Sequence, residues 1–221
     1  MLKRKRPDIA RTLRAYYDEM FAAHGPQGWW PGRTRFEIIV GAILTQNTAW
    51  TNVERAIREL KSAGLVNAAA MHGADIGVLA SRIRSAGYFN VKARRLKNFT
   101  THLFGEHGGS LDRLFRSDNG GLRQTLLAIN GIGPETADSI LLYAAGRPEF
   151  VSDAYTKRIF SRHGLVAGDA DYEEVKALFM DNLPSDARLF NEYHALIVKT
   201  GKDYCKSRKP DCANCALKGF L

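Results

Sequence analysis

The chain has 221 residues, 45% of them hydrophobic and 25% charged, with 32 Lys and Arg against 23 Asp and Glu for a formal net charge of +9. That apolar content is enough for a core, which excludes a wholly disordered chain, and no run of about 18 apolar residues is present to cross a bilayer as a helix. The basic excess points to a polyanion, nucleic acid first among them.

Taken from the N-terminus, Lys3-Arg4-Lys5-Arg6 has the charge of a secretory n-region, but no apolar stretch follows it. No signal peptide is expected, and the expected location is the cytoplasm, nucleoid-associated in a prokaryote. Gly25-Pro26-Gln27-Gly28 is the first break, and Gly108-Gly109-Ser110, Asn119-Gly120-Gly121 and Gly146-Arg147-Pro148 are the later ones. The first and last bracket a central helical domain, 34–147, and leave 1–33 and 148–221 to pair as a second. Helical periodicity dominates between the breaks. Val53, Ala56, Ile57 and Leu60 share a face before Gly64, and Val175, Leu178, Phe179 and Leu183 repeat the pattern before Pro184. Ala137, Ile140, Leu141 and Ala144 do the same after Pro134. Alternating strand patterns are scarce, so the spacing predicts an all-α chain of about ten short helices.

Four local patterns carry chemistry. Gly131-Ile132-Gly133-Pro134 ends one helix and opens another. Two glycines can leave backbone N–H groups bare at a helix N-terminus to cradle a phosphate, with Ile132 plugged into the core, although an ordinary αα-hairpin has the same signature. Asp153, twenty residues beyond Gly133, stands before a helical stretch, where it is either an N-cap or an acid–base group. Cys205, Cys212 and Cys215 are the only cysteines. An odd number in one short segment reads as a metal or cluster site, or as coincidence in a reducing compartment. All three tryptophans stand in Gly28-Trp29-Trp30-Pro31 and Leu44-Thr45-Gln46-Asn47-Thr48-Ala49-Trp50.

The hairpin, its spacing to Asp153 and the cysteine pattern together resemble the helix-hairpin-helix DNA glycosylases of the endonuclease III superfamily, from about Trp29 to Cys215. The tryptophan stretches resemble the branch called 3-methyladenine DNA glycosylase III and methylpurine glycosylase II. The resemblance implies two helical domains with a DNA-binding cleft between them, the helix-hairpin-helix at about 122–145, a C-terminal cysteine loop at 205–221, and excision of damaged bases from double-stranded DNA by a monomer. It makes Asp153 the catalytic carboxylate, stabilising positive charge on the sugar and guiding water to it. Lyase members carry a lysine two residues after the second hairpin glycine. Glu135 stands there and cannot form an imine, so the expected enzyme is monofunctional.

Trp29 and Trp50 are then expected as walls around a cationic alkylated purine, with Trp30 as packing. Gln46 and Tyr88 match the positions that fill the gap left by an everted base. Gly131, Ile132 and Gly133 grip a phosphate, with a monovalent cation on the hairpin carbonyls, and Lys157 is a phosphate contact or solvated surface. Lys92, Arg94, Arg95 and Lys97 read equally as phosphate contacts or solvated charges. Cys205, Cys212 and Cys215 match three of the four ligands of a [4Fe–4S] cluster, and the fourth cysteine's position is Leu221, so either a foreign or solvent ligand completes a cluster, or that corner loses its iron, or the loop is a relic that stays folded without metal. The alternatives are a bifunctional glycosylase/lyase on oxidised pyrimidines, a non-catalytic helix-hairpin-helix DNA-binding protein, and an iron–sulfur redox regulator.

Overall fold

In a computed structural model that describes residues 8–30 and 32–221, the protein is built of helices and loops, with no strand among those residues. The Lys3–Arg6 run and Pro31 lie outside the described residues. Among the described residues no helix is long and apolar enough to cross a membrane. Twelve α-helices are present among them. They are α1 (Ile9–His24), α2 (Arg35–Leu44), α3 (Trp50–Ser62), α4 (Ala68–Gly73), α5 (Ile76–Arg82), α6 (Phe89–His107), α7 (Leu111–Leu114), α8 (Asn119–Leu127), α9 (Pro134–Ser139), α10 (Ala154–Arg162), α11 (Tyr172–Met180) and α12 (Ala187–Asp203).

Most of these helices start where capping chemistry dictates. Nine of the twelve have an Asp, Asn, Ser or Thr at the N-cap whose side chain accepts a first-turn backbone N–H. In α11 the Asp171 and Glu174 side chains cap reciprocally. The three helices without a side-chain cap are α3, α6 and α9.

The chain divides into two compact units, Trp30–Arg147 and Met1–Trp29 with Pro148–Leu221. In the first, α3 turns Val53, Ala56, Ile57 and Leu60 inward and stops at Gly64, whose φ of +69° suits glycine. Ala137, Ile140, Leu141 and Ala144 are also buried, but α9 does not continue as a regular helix to carry them. After Ser139 the chain widens into a π-turn over Ile140–Ala144, where the Ala145 N–H reaches back to the Ile140 carbonyl at 3.0 Å. The second unit packs Phe150, Phe160, Phe179, Phe190 and Tyr193, none more than 2% exposed, into one aromatic core. Phe150 and Phe179 lie face to face, 3.8 Å between ring centroids, and the other rings meet that pair edge-on. In α11, Val175 and Phe179 are fully buried, and the helix ends at Met180, before Leu183.

A buried ion pair ties α8 to α9. Arg123 Nε donates to Asp138 Oδ1 at 2.7 Å and Nη2 to Oδ2 at 3.2 Å, with the Asp138 side chain fully buried. Removing Asp138 takes the bidentate partner from a guanidinium that is only 21% exposed. Asp138→Ala is expected to lower the unfolding free energy by about 3 kcal/mol or more. A urea titration measures it, and an unchanged midpoint would contradict the assignment.

Candidate functional site

The hairpin between α8 and α9 is held from outside its own turn. Gly131 has φ of +98°, and a Cβ there would collide with the Arg95 side chain from α6. The requirement for glycine at 131 is thus met twice over by the protein itself. Gly133 has extended backbone, and a Cβ there would meet nothing within 4 Å. Its bare backbone leaves the start of α9 open. Ile132 is 4% exposed and anchors the turn in the core of its unit. The Asn130 carbonyl accepts from Asn98 Nδ2 at 2.9 Å, and the Gly131 carbonyl from Gln46 Nε2 at 3.1 Å. Each of these two oxygens therefore has one lone pair already engaged. Glu135 is exposed in the first turn of α9, where a carboxylate complements the helix dipole.

Gln46 is half-buried and fully engaged. Its Nε2 also donates to Thr136 Oγ1 at 2.8 Å, and its Oε1 accepts from Arg95 Nη1. Tyr88 has the opposite character. It is 74% exposed and left-handed, with φ of +45° and ψ of +33°. A tyrosine pushed into water on strained backbone is held there by its surroundings. Asn47, next to Gln46, is likewise left-handed at φ of +52°.

Of the basic stretch after Tyr88, Arg94 is exposed, while Lys92, Arg95 and Lys97 are engaged within the protein. Lys92 is 1% exposed and neither solvated nor placed for phosphate. Its three ammonium donors go to the Leu44 carbonyl at 2.9 Å, Thr48 Oγ1 at 2.7 Å and the Ala86 carbonyl at 2.7 Å. Thr48 Oγ1 itself donates to the Ala86 carbonyl. One lysine thus joins the loop carrying Gln46 to the loop carrying Tyr88. Burial and the neighbouring Arg95 pull its amine down to about 8, so it carries its charge at pH 7. Lys97 donates to the carbonyls of His72 and Ala74 and closes the end of α4, while Arg95 serves Gln46. A lysine reads as a surface charge in sequence, and nothing local marks Lys92 as buried.

Trp30 and Trp50 come together, and Trp29 does not join them in one unit. Trp30 meets Trp50 edge-on at 5.2 Å and leans on Tyr143 at 4.7 Å. The Trp30 indole lies over Gly41 of α2, where an added Cβ would meet it at 3.4 Å. Trp50 is half-buried at the start of α3 and donates from Nε1 to Glu54 Oε1 at 2.8 Å. Trp29 belongs to the other unit.

In that unit Asp153 caps α10. Its Oδ1 accepts from the Thr156 N–H at 2.8 Å and from Thr156 Oγ1 at 3.0 Å. Its Oδ2 lies 3.6 Å from His194 Nε2 of α12, too long for a hydrogen bond and close enough for a strong electrostatic pull. The two side chains are only 15% and 6% exposed. Burial opposes the charge, but His194 and the two Thr156 donors outweigh it and hold the carboxyl below its ordinary 3.8. Asp153 is therefore an anion at neutral pH. Sequence reading missed His194, which stands in the apolar run of α12 with nothing nearby in the chain to pair it. Lys157, one turn along α10, is half-buried.

The three cysteines are free thiols on one loop, Cys205 and Cys215 buried and Cys212 exposed. Together they line one cavity. Among the described residues no three His, Cys, Asp or Glu side chains converge on a single ion. That does not exclude a cluster, whose irons sit at separate corners and keep their thiolates apart. The donor set suits such a group. Two arginines of α10 hold the loop, Arg158 through the Cys205 and Gly201 carbonyls and Arg162 through the Lys206 and Ser207 carbonyls. Arg162 Nη1 also donates to Cys205 Sγ at 3.2 Å.

Comparison with known proteins identifies the fold. The HhH-GPD superfamily of base excision DNA repair proteins matches residues 40–185. The chain belongs to that superfamily. A putative DNA repair glycosylase of Methanocaldococcus jannaschii is 48% identical over 206 residues, covering 92% of this chain and 93% of the relative. An endonuclease III of Sulfolobus acidocaldarius is 33% identical over 192 residues, covering 86% and 83%. Among solved structures, an endonuclease III–DNA complex superposes with a TM-score of 0.82 at 22% identity, over 96% of this chain and 94% of that one. A Helicobacter pylori 3-methyladenine DNA glycosylase bound to 1,N6-ethenoadenine superposes at 0.76 with 27% identity, over 88% and 97%. The chain is a DNA repair glycosylase of the endonuclease III superfamily, and DNA is its partner.

The Lys92 arrangement gives a test. Lys92→Met keeps the stem but leaves two carbonyls and a hydroxyl without their shared donor, at a cost of about 1–3 kcal/mol in urea unfolding. With the Gln46 and Tyr88 loops no longer joined, excision per bound duplex is expected to fall about tenfold or more, measured under single-turnover conditions at a temperature where the variant is folded. Unchanged excision would show that the two loops do not depend on Lys92.

Proposed function

We propose that this glycosylase is monofunctional and hydrolyses the N-glycosidic bond of alkylated purines such as 3-methyladenine in duplex DNA. The observation that carries the reading is Glu135 at the start of the second hairpin helix, where a lyase needs an amine. In this reading Asp153, already ionised and short of water, stabilises the positive charge that builds on the sugar as the base departs, and it guides the attacking water. A cationic purine is a good leaving group, so little acid assistance is required. Trp50 supports the choice of base, because an indole face attracts a cationic ring by about 1–2 kcal/mol when water is excluded. Trp29 has the same role by family resemblance.

The remaining assignments follow the same pattern. Tyr88, exposed on left-handed backbone, is suited to enter the stack when a base is everted. Gln46 would act beside it, braced by Arg95 and the hairpin. Gly131, Ile132 and Gly133 present backbone to a phosphate, with Lys157 as a further contact. Of two hairpin carbonyls available to a monovalent cation, Asn130 and Gly131, each offers one remaining lone pair. Cys205, Cys212 and Cys215 would hold a [4Fe–4S] cluster, which at this distance in sequence from Asp153 supplies rigidity to the loop rather than chemistry to excision. The enzyme would act as a monomer in the cytoplasm. The endonuclease III relatives favour a second reading, a glycosylase/lyase on oxidised pyrimidines, against which Glu135 stands.

Borohydride separates the two. A lyase passes through an imine that borohydride reduces to a permanent protein–DNA crosslink. The wild type is expected to release 3-methyladenine, leave an intact abasic strand that breaks only in alkali, and give no crosslink. Efficient trapping would overturn the monofunctional reading and direct attention to Lys157 as the amine.

A further inference from the structure

The cavity that Cys205, Cys212 and Cys215 line has other walls, among them His163, Asp211 and Leu221. A [4Fe–4S] cluster has four irons to ligate and this chain offers three thiols, so a fourth donor is needed. Cysteine spacing puts the vacant position at Leu221. The residue before it, Phe220, packs on Tyr16 with ring centroids 4.3 Å apart. Tyr16 in turn meets the His163 ring edge-on at 5.4 Å, with its hydroxyl 2.9 Å from His163 Nδ1. His163 and Leu221 thus line the same cavity as the three thiols, and Tyr16 links the His163 ring to the residue next to Leu221.

The chemistry of His163 suits the vacancy. Engaging Nδ1 with Tyr16 leaves Nε2, which makes no hydrogen bond among the described residues. Ligation would select the tautomer in which the Tyr16 oxygen accepts from Nδ1–H, the outer contact that orients a ligating histidine. Burial pushes the His163 pKa down and so favours the neutral ring that a metal requires. Asp211 is the rival donor on the cavity wall. Its carboxylate is oriented by Asn214, whose Nδ2 donates to Oδ2 at 3.0 Å and Oδ1 at 3.1 Å and whose N–H lies 3.4 Å from Oδ1, and a histidine nitrogen signal distinguishes it from His163. The Arg162 contact to Cys205 Sγ adds a donor to sulfur of the kind that steadies a negative cluster.

We propose that His163 is the fourth protein ligand of a [4Fe–4S] cluster whose other ligands are Cys205, Cys212 and Cys215. The site is a Cys3His variant in which an imidazole from the C-cap of α10 replaces a thiolate from the end of the cysteine loop. It is independent of the excision chemistry, so its test does not use base release.

The full-length protein, labelled with 15N-histidine, is reconstituted anaerobically with ferrous iron and sulfide, assayed for iron, then reduced and studied by pulsed EPR. The wild type is expected to hold about four irons per chain and to show one strongly coupled histidine nitrogen. His163→Ala should lose that coupling and fall to about three irons as the unligated corner dissociates. His163→Cys should restore about four irons with no nitrogen coupling, which keeps the test valid if the alanine variant folds poorly. A four-iron wild type without nitrogen coupling, coupling that survives in His163→Ala, or a folded wild type that takes up no iron would each overturn the proposal.

Discussion

Asp153 caps α10 with one carboxylate oxygen and faces His194 of α12 with the other, so a buried charge is held by two Thr156 donors and one imidazole. Without them burial would drive the group toward its neutral form, and a neutral acid gives a sugar cation no electrostatic help. Much of the second unit serves this arrangement. The stacked Phe150 and Phe179 fix the strand of chain leading to Asp153, and Tyr193, next to His194, donates to the Leu13 carbonyl at 2.7 Å and fixes α12 on α1. Immediately upstream, Glu149 is paired with Lys176, both side chains buried. In the catalytic role proposed for it, a carboxylate held this way would need no reorganisation to meet developing charge, which is where electrostatic catalysis draws its advantage.

The central unit solves a different problem, the presentation of polar backbone and an aromatic side chain to a partner. Its core is closed by apolar faces in the ordinary way, yet α3, α6 and α9 start without a side-chain cap at Trp50, after Tyr88 and after Gly133. A missing cap leaves first-turn donors for something outside the helix. Those same starts carry residues that the family resemblance assigns to the base pocket, the wedge and the phosphate grip. Lys92 and the Arg95–Gln46–hairpin contacts supply the rigidity that the absent caps do not.

The helical class was legible because its signals are local. The Val53–Leu60 face and its Gly64 stop need only a window of one helix, and they fold as read. The π-turn after Ser139 was not legible, since Ala137, Ile140, Leu141 and Ala144 keep a regular helical spacing while the backbone widens under them. The hairpin glycines could be found, but their reasons differ. Gly131 answers to Arg95 from α6, a contact no local window contains, whereas Gly133 answers to nothing within its own chain. Lys92, His194 and His163 were misread or missed for one reason. Each acts through groups far off in sequence, and a lysine or histidine in an amphipathic stretch looks the same whether it is solvated or buried with partners.

In the proposed mechanism an ionised Asp153, not an enzyme amine, drives base release. Single-turnover excision of 3-methyladenine from a duplex, compared between the wild type and Asp153→Asn, tests it most directly. The asparagine keeps size and can still accept from Thr156, so duplex affinity should be unchanged or higher. Excision should fall by about two to three orders of magnitude, the scale on which a preorganised electrostatic group contributes. A variant that binds the duplex and releases the base at near wild-type rate would contradict the account.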